Sequence, residues 1–342
     1  MPLSCRALLA VAATASMASR SARAAATIAD DTGRNVTVPA KVGRVFAAGQ
    51  PAAILLYTLA PDLLIGWSHA NRSEQCAYLL PDICARPSVG ALTGRSGIVS
   101  LESVAALKPD LILDVGSTAP RYAALAEKAQ QQTGIPYALL DGGIMSLSTP
   151  YEKLGALTGR VTAGLDFGDY CNMTLGAITN RLAFVTADKR PRVYYARGPQ
   201  GLTTGQRGAS QMELIELLAR NVAGESKGGL IDVTIEQVRT WNPDAIVSTN
   251  ARFVADTRSD PGWMAIRAVR EGRVHLAPQI PFGWVDAPPS GNRLIGLWWL
   301  AKTFYPELFK EDLRELTRDF YTKFYHVTPT DARLDYVLAG KD

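Results

Sequence analysis

Apolar and polar positions along the chain follow two rhythms. Short, nearly continuous apolar runs recur, and between them lie stretches with apolar residues spaced three or four apart. The first rhythm marks strands buried in a parallel sheet, the second amphipathic helices. Strands are expected at residues 44–48, 63–67, 137–140, 192–196 and 274–277, and helices at 52–59, 122–132, 212–219, 261–270, 293–304 and 313–325. Near the start, IADDTGRNVTVP (28–39) reads as a hairpin that turns at Asp31 to Gly33. Strand–helix alternation of this kind predicts a mostly parallel, helix-covered sheet.

One stretch occurs twice. Residues 101–116 read LESVAALKPDLILDVG and residues 235–250 read IEQVRTWNPDAIVSTN. Ser100 and Thr234 are placed to cap a helix. Leu101, Val104 and Leu107, and in the second copy Ile235, Val238 and Trp241, form one apolar face. Pro109 and Pro243 end the helices, and a buried strand follows each. Glu102 and Glu236 occupy equivalent places in the first helical turn, where the macrodipole favours a carboxylate. Two copies so far apart imply two similar α/β lobes rather than a solenoid. Between them, residues 148–187 carry a helical rhythm broken by glycines and no strand signal. They read as a connector helix between lobes, or as an ordinary pair of packed helices. The chain thus divides into 1–24, a lobe at 25–147, the connector at 148–187 and a second lobe at 188–342.

Composition changes this picture in three places. The chain has 342 residues, enough for two domains. Arg6, the apolar residues 7–18 and Ala22-Arg23-Ala24 form a secretory signal pattern, with cleavage expected near Ala24 and a periplasmic destination. Loss of Arg6, Arg20 and Arg23 with that segment lowers the net charge from +4 to +1, which argues against a nucleic-acid partner. Cys5 leaves with the signal and is poorly placed for lipid attachment. In an oxidising compartment Cys76 and Cys84 would pair, the alternative being two buried thiols; Cys171 is then odd and buried on a helix. The only histidines are His69, His275 and His326, without the spacing of a metal site.

The DDTGRNVTVP segment, the LESVAALKPDLIL and IEQVRTWNPDAIV pair, YYARGPQGLTTG, FGWVDAPPSGNRLIGLWWLAK and FYTKFYHV together resemble one family. It is the ABC-transporter substrate-binding proteins that carry iron chelates, cobalamin, haem and related metal cargo. The resemblance covers the mature chain. It implies two α/β lobes joined by a long helix, a ligand cleft between them, and delivery to a permease dimer with ATPase subunits beneath it. It also implies that one glutamate per lobe, here Glu102 and Glu236, meets the permease. The chain is expected to be a monomer without a resident cofactor.

Ligands of open α/β sheets sit beyond the carboxyl ends of the strands. That rule nominates Gln50, Trp67, His69, Arg95, Ser117, Tyr195, Arg197, Arg252, Phe282 and Trp284. Arginine forks suit oxygen-rich anions, and aromatic walls suit a bulky chelate. The expected cargo is therefore a ferric siderophore-like chelate. Molybdate or tungstate is the alternative, if the pocket proves compact and donor-rich; cobalamin and haem are others. An exported hydrolase would need a nucleophile elbow, a phosphate loop or an acid pair. The sequence offers only Asp141 and Asp286 for such a pair, and Asp286 is expected instead to cap the helix past Pro288 and Pro289.

Overall fold

The computed structural model describes residues 26–94 and 97–340. The expected signal segment and Arg95 lie outside the described residues. The hairpin pairs β1 (Ala26–Ala29) with β2 (Asn35–Val38). The first lobe's sheet is β3 (Val45–Ala47), β4 (Leu111–Gly116) and β5 (Tyr137–Asp141), parallel throughout and in that order. The second lobe holds β6 (Arg192–Ala196), β7 (Thr203–Gly205), β8 (Arg220–Asn221), β9 (Leu230–Asp232), β10 (Ala245–Ser248) and β11 (Val274–Leu276). Its parallel sheet runs β11-β10-β6-β8, and β7 pairs antiparallel with β9.

Side-chain alternation divides the core. In β6, Val193 and Tyr195 join a large central cluster, whereas Tyr194 and Ala196 join an outer one. In β5, Ala138 and Leu140 face the central cluster, and Tyr137 and Leu139 the first lobe's outer cluster. Each sheet is thus covered on both faces, which is why its strands read as continuous apolar runs.

The connector segment folds as two helices, Ser148–Thr158 and Val161–Leu182. Gly159, at φ +74°, ends the first in the left-handed region. A Cβ on Gly155 would lie 2.9 Å from the Gly164 Cα, so the two helices meet where neither has a side chain. The second helix has 22 residues, about 33 Å at 1.5 Å per residue. It buries Phe167, Cys171, Leu175, Ile178 and Leu182 in the central cluster.

Three expectations are corrected. Residues 63–67 make only isolated bridges, Val45 to Leu64 and Trp67 to Ser88, between a 3-10 turn at Pro61–Leu63 and the next loop. The helix expected at 261–270 is two, Pro261–Met264 and Arg267–Arg270, because Ile266 turns extended (φ −84°, ψ 132°) and buries its side chain. A further helix, Asp331–Leu338, follows residue 325; it buries only Leu334 and Val337, too few to show a period. Cys76 and Cys84 are joined in a disulfide. Among the described residues, no helix is long and apolar enough to cross a membrane.

Candidate ligand-binding cleft

The ends of β4, β5 and β6 open into a cleft of about 720 Å³. The first lobe contributes Gly49, Gln50, Pro51, Thr93, residues 114–118 and residues 141–143; the second contributes Arg197, Gly208, Ser210, Gln211 and Glu213, with Pro288 and Pro289 beside them. At the floor, a Cβ on Gly142 would lie 2.9 Å from the Gly116 Cα. The two strand ends converge there because neither residue has a side chain.

Two helices of the first lobe begin at this surface. Gln50–Leu59 starts after Gly49 and Pro120–Thr133 after Ala119, and neither has a side-chain cap. Their first-turn N–H groups and the positive ends of their macrodipoles favour an anion in the cleft.

The acids of the cleft are engaged in building its walls. Asp114 is buried; its carboxylate accepts from the Tyr137 hydroxyl at 2.9 Å, Thr93 Oγ1 at 3.0 Å and the Val115 N–H. Burial pushes its pKa up, against those three hydrogen bonds. Asp141 accepts from the Gly143 N–H and Ser146 Oγ, and its own N–H donates to Asp31 at 2.7 Å. Glu213 accepts from the Ile144 N–H at 2.9 Å and from Arg293 at 2.6 Å. Arg293 is fully buried and also donates to the Gly142 carbonyl; burial lowers its pKa, with Glu213 opposing. No group of three or more His, Cys, Asp or Glu side chains among the described residues could hold a metal ion.

Of the residues nominated from sequence, Gln50, His69, Ser117 and Arg197 line the cleft. Trp67, Tyr195, Phe282 and Trp284 do not; all four are buried in the central core. Trp67 Nε1 donates to the Ile83 carbonyl at 2.8 Å, and its ring packs on Tyr57 and Phe282. Phe282 also meets Tyr325, and Trp284 Nε1 lies 3.4 Å from the Tyr321 hydroxyl. Arg197 follows directly after β6, two residues beyond Tyr195, and reaches the cleft while Tyr195 is buried. Arg252 is exposed on the helix Ala251–Asp256, facing Asp256 rather than the cleft. Asp286 does not cap the helix Arg293–Phe304, whose N-cap position is Asn292. It is buried, accepts from the Tyr195 hydroxyl at 2.8 Å and pairs with Arg197 at 3.1 Å. Burial raises its pKa, with Arg197 opposing. Sequence reasoning missed Thr93, Asp114 and Glu213. A carboxylate inside the apolar run LILDV was a usable sign for Asp114; Glu213 carried none.

A family profile described as periplasmic binding protein matches residues 47–281. The chain belongs to that family. Its members are the substrate-binding components of ABC transporters, which hand a small ligand to a permease and its ATPase. Within the family, the chain is 29% identical to the molybdate-binding protein MolA of Haemophilus influenzae, over 94% of this chain and 96% of that protein. An ABC transporter solute-binding protein from Sulfurospirillum deleyianum superposes with a TM-score of 0.85 at 23% identity, covering 93% of this chain and 99% of the other. A molybdate-bound structure of MolA superposes at 0.72 and 24% identity, covering 89% and 99%. These likenesses establish the two-lobe fold.

Proposed function

We propose that the chain captures a compact, oxygen-rich anion of the molybdate or tungstate kind and delivers it to an importer without turnover. The observation that carries this reading is the chemistry of the cleft wall. Among the described residues its polar lining is backbone, hydroxyl, amide and carboxyl groups with one arginine and the His69 imidazole, and Tyr122 is the one Phe, Tyr or Trp side chain on the wall. The aromatic residues that favoured a bulky chelate lie in the core instead. Two uncapped helix ends supply positive potential and Arg197 supplies guanidinium donors, and MolA is a molybdate-binding relative. A ferric chelate is the second reading, favoured by a cleft volume in the range of larger ligands. Export by residues 1–24 and docking through Glu102 and Glu236 belong to the same proposal.

Calorimetric titration of the purified chain tests it. Molybdate and tungstate should bind saturably and compete. Arg197→Gln should weaken both roughly ten- to a hundredfold, the loss expected for one charged hydrogen-bonding partner. Binding of a ferric catecholate complex with no binding of either oxoanion would overturn the first reading in favour of the second.

A further inference from the structure

The floor of the second lobe holds a three-residue relay. The Tyr195 hydroxyl donates to Asp286 Oδ1 at 2.8 Å, and Asp286 Oδ2 faces Arg197 Nε at 3.1 Å. Tyr195 and Asp286 are sealed from solvent, while the Arg197 side chain is about one quarter exposed and reaches the cleft. The contact is an ion pair on the Nε side of the guanidinium, without the geometry of a hydrogen bond. Among the described residues the two terminal nitrogens have no hydrogen-bond partner and are left for a ligand. Arg293, the other cation near Asp286, is committed to Glu213 and the Gly142 carbonyl.

Such a carboxylate cancels much of the charge that a ligand on the arginine feels. An anion on Arg197 is therefore attracted by hydrogen-bond geometry and repelled by a negative charge one group further back. That repulsion grows with the ligand's own charge, so it weighs twice as heavily on a dianion as on a monoanion of the same shape.

We propose that Asp286, held by Tyr195, is a specificity-determining residue that sets how strongly the cleft discriminates between oxoanions of equal shape and different charge. The inference rests on the oxoanion reading of the cleft. Its test uses tungstate and perrhenate, both tetrahedral tetraoxo anions, of charge two and one. Their dissociation constants are measured by calorimetry at one ionic strength, with melting curves recorded for every variant.

Asp286→Asn keeps the shape of the side chain and removes its charge. Affinity for tungstate relative to perrhenate should rise roughly tenfold, about 1.4 kcal/mol. Arg197→Gln should move the same ratio in the opposite direction. Tyr195→Phe leaves the carboxylate in place, so both anions should weaken together and the ratio should hold. An unchanged ratio in Asp286→Asn overturns the inference, as does an equal rise in Tyr195→Phe. Should Asp286→Asn fail to fold, a ratio unmoved in Arg197→Gln overturns it instead. If the unaltered chain binds neither anion, the oxoanion reading fails and this inference with it. If it binds both and the ratio is insensitive to Asp286, only the present inference falls.

Discussion

A tryptophan near a strand end can place its indole on the loop, where a ligand would meet it, or beneath the loop, where it packs. Position in sequence does not separate the two; the destination of the indole N–H does. For Trp67 it is the Ile83 carbonyl, in the segment closed by the Cys76–Cys84 disulfide. Phe282 lies between Trp67 and Tyr325 in the same layer. Phe282→Ala should therefore cost about 3–5 kcal/mol, as large-to-small changes of a buried aromatic do. Urea denaturation should show that loss, while oxoanion affinity in the folded fraction stays within about twofold. A selective loss of affinity without loss of stability would return Phe282 to the cleft. The strand-end rule leads to the loops that line the cleft, and His69, Ser117 and Arg197 follow from it. It could not separate Arg197 from Tyr195, which stand two residues apart at the end of β6, the one at the cleft and the other buried. Asp286 was equally opaque, because its partners come from residues far away in sequence.

At the scale of elements, the repeated stretch was the most legible feature because all of its determinants are local. Ser100 Oγ accepts from the Ser103 N–H, and Thr234 forms a reciprocal capping box with Gln237. Val104 and Val238 are buried, while Glu102 and Glu236 are exposed on the opposite side. Both carboxylates have lowered pKa values, Glu102 chiefly through Ser100 and Glu236 chiefly through its own backbone N–H. They are thus anionic at any physiological pH and free to meet a cationic surface. Exposed charges of this kind govern encounter and register more than fold stability. The double change Glu102→Ala, Glu236→Ala should leave ligand affinity intact while ligand-stimulated ATPase activity of the reconstituted importer falls roughly tenfold or more. Wild-type stimulation at physiological salt would leave the glutamates as helix caps alone. The DDTGR hairpin was legible only in part. Its turn shows in the sequence, closed by Asp30 accepting from the Thr32 and Arg34 N–H groups. That Asp31 then ties it to the end of β5 and to Lys153 does not, since those contacts are long-range.

Over the whole molecule, the question is how far the lobes can move. The glycine-broken rhythm of residues 148–187 reads as a connector helix, with a packed helix pair as the alternative, and the segment folds as two helices. The glycines make the contact between the helices, so they stiffen the segment where glycines in a linker would loosen it. A second tie crosses the cleft floor: Glu213 of the second lobe holds the Ile144 N–H of the first, and Arg293 holds both Glu213 and the Gly142 carbonyl. Opening the lobes would expose a buried guanidinium and strip a carboxylate of its partners, a change costing several kcal/mol. A hinge of this build admits only small rotations, unlike one made of flexible paired strands. Small-angle scattering curves recorded with and without saturating tungstate should therefore nearly superimpose. Arg293→Ala removes the buried guanidinium bridge, leaving the Glu213–Ile144 bond and the helix pair, and should widen the difference between the two curves. Large compaction of the unaltered chain on binding would mean that neither the helix pair nor the Arg293 bridge restrains the lobes.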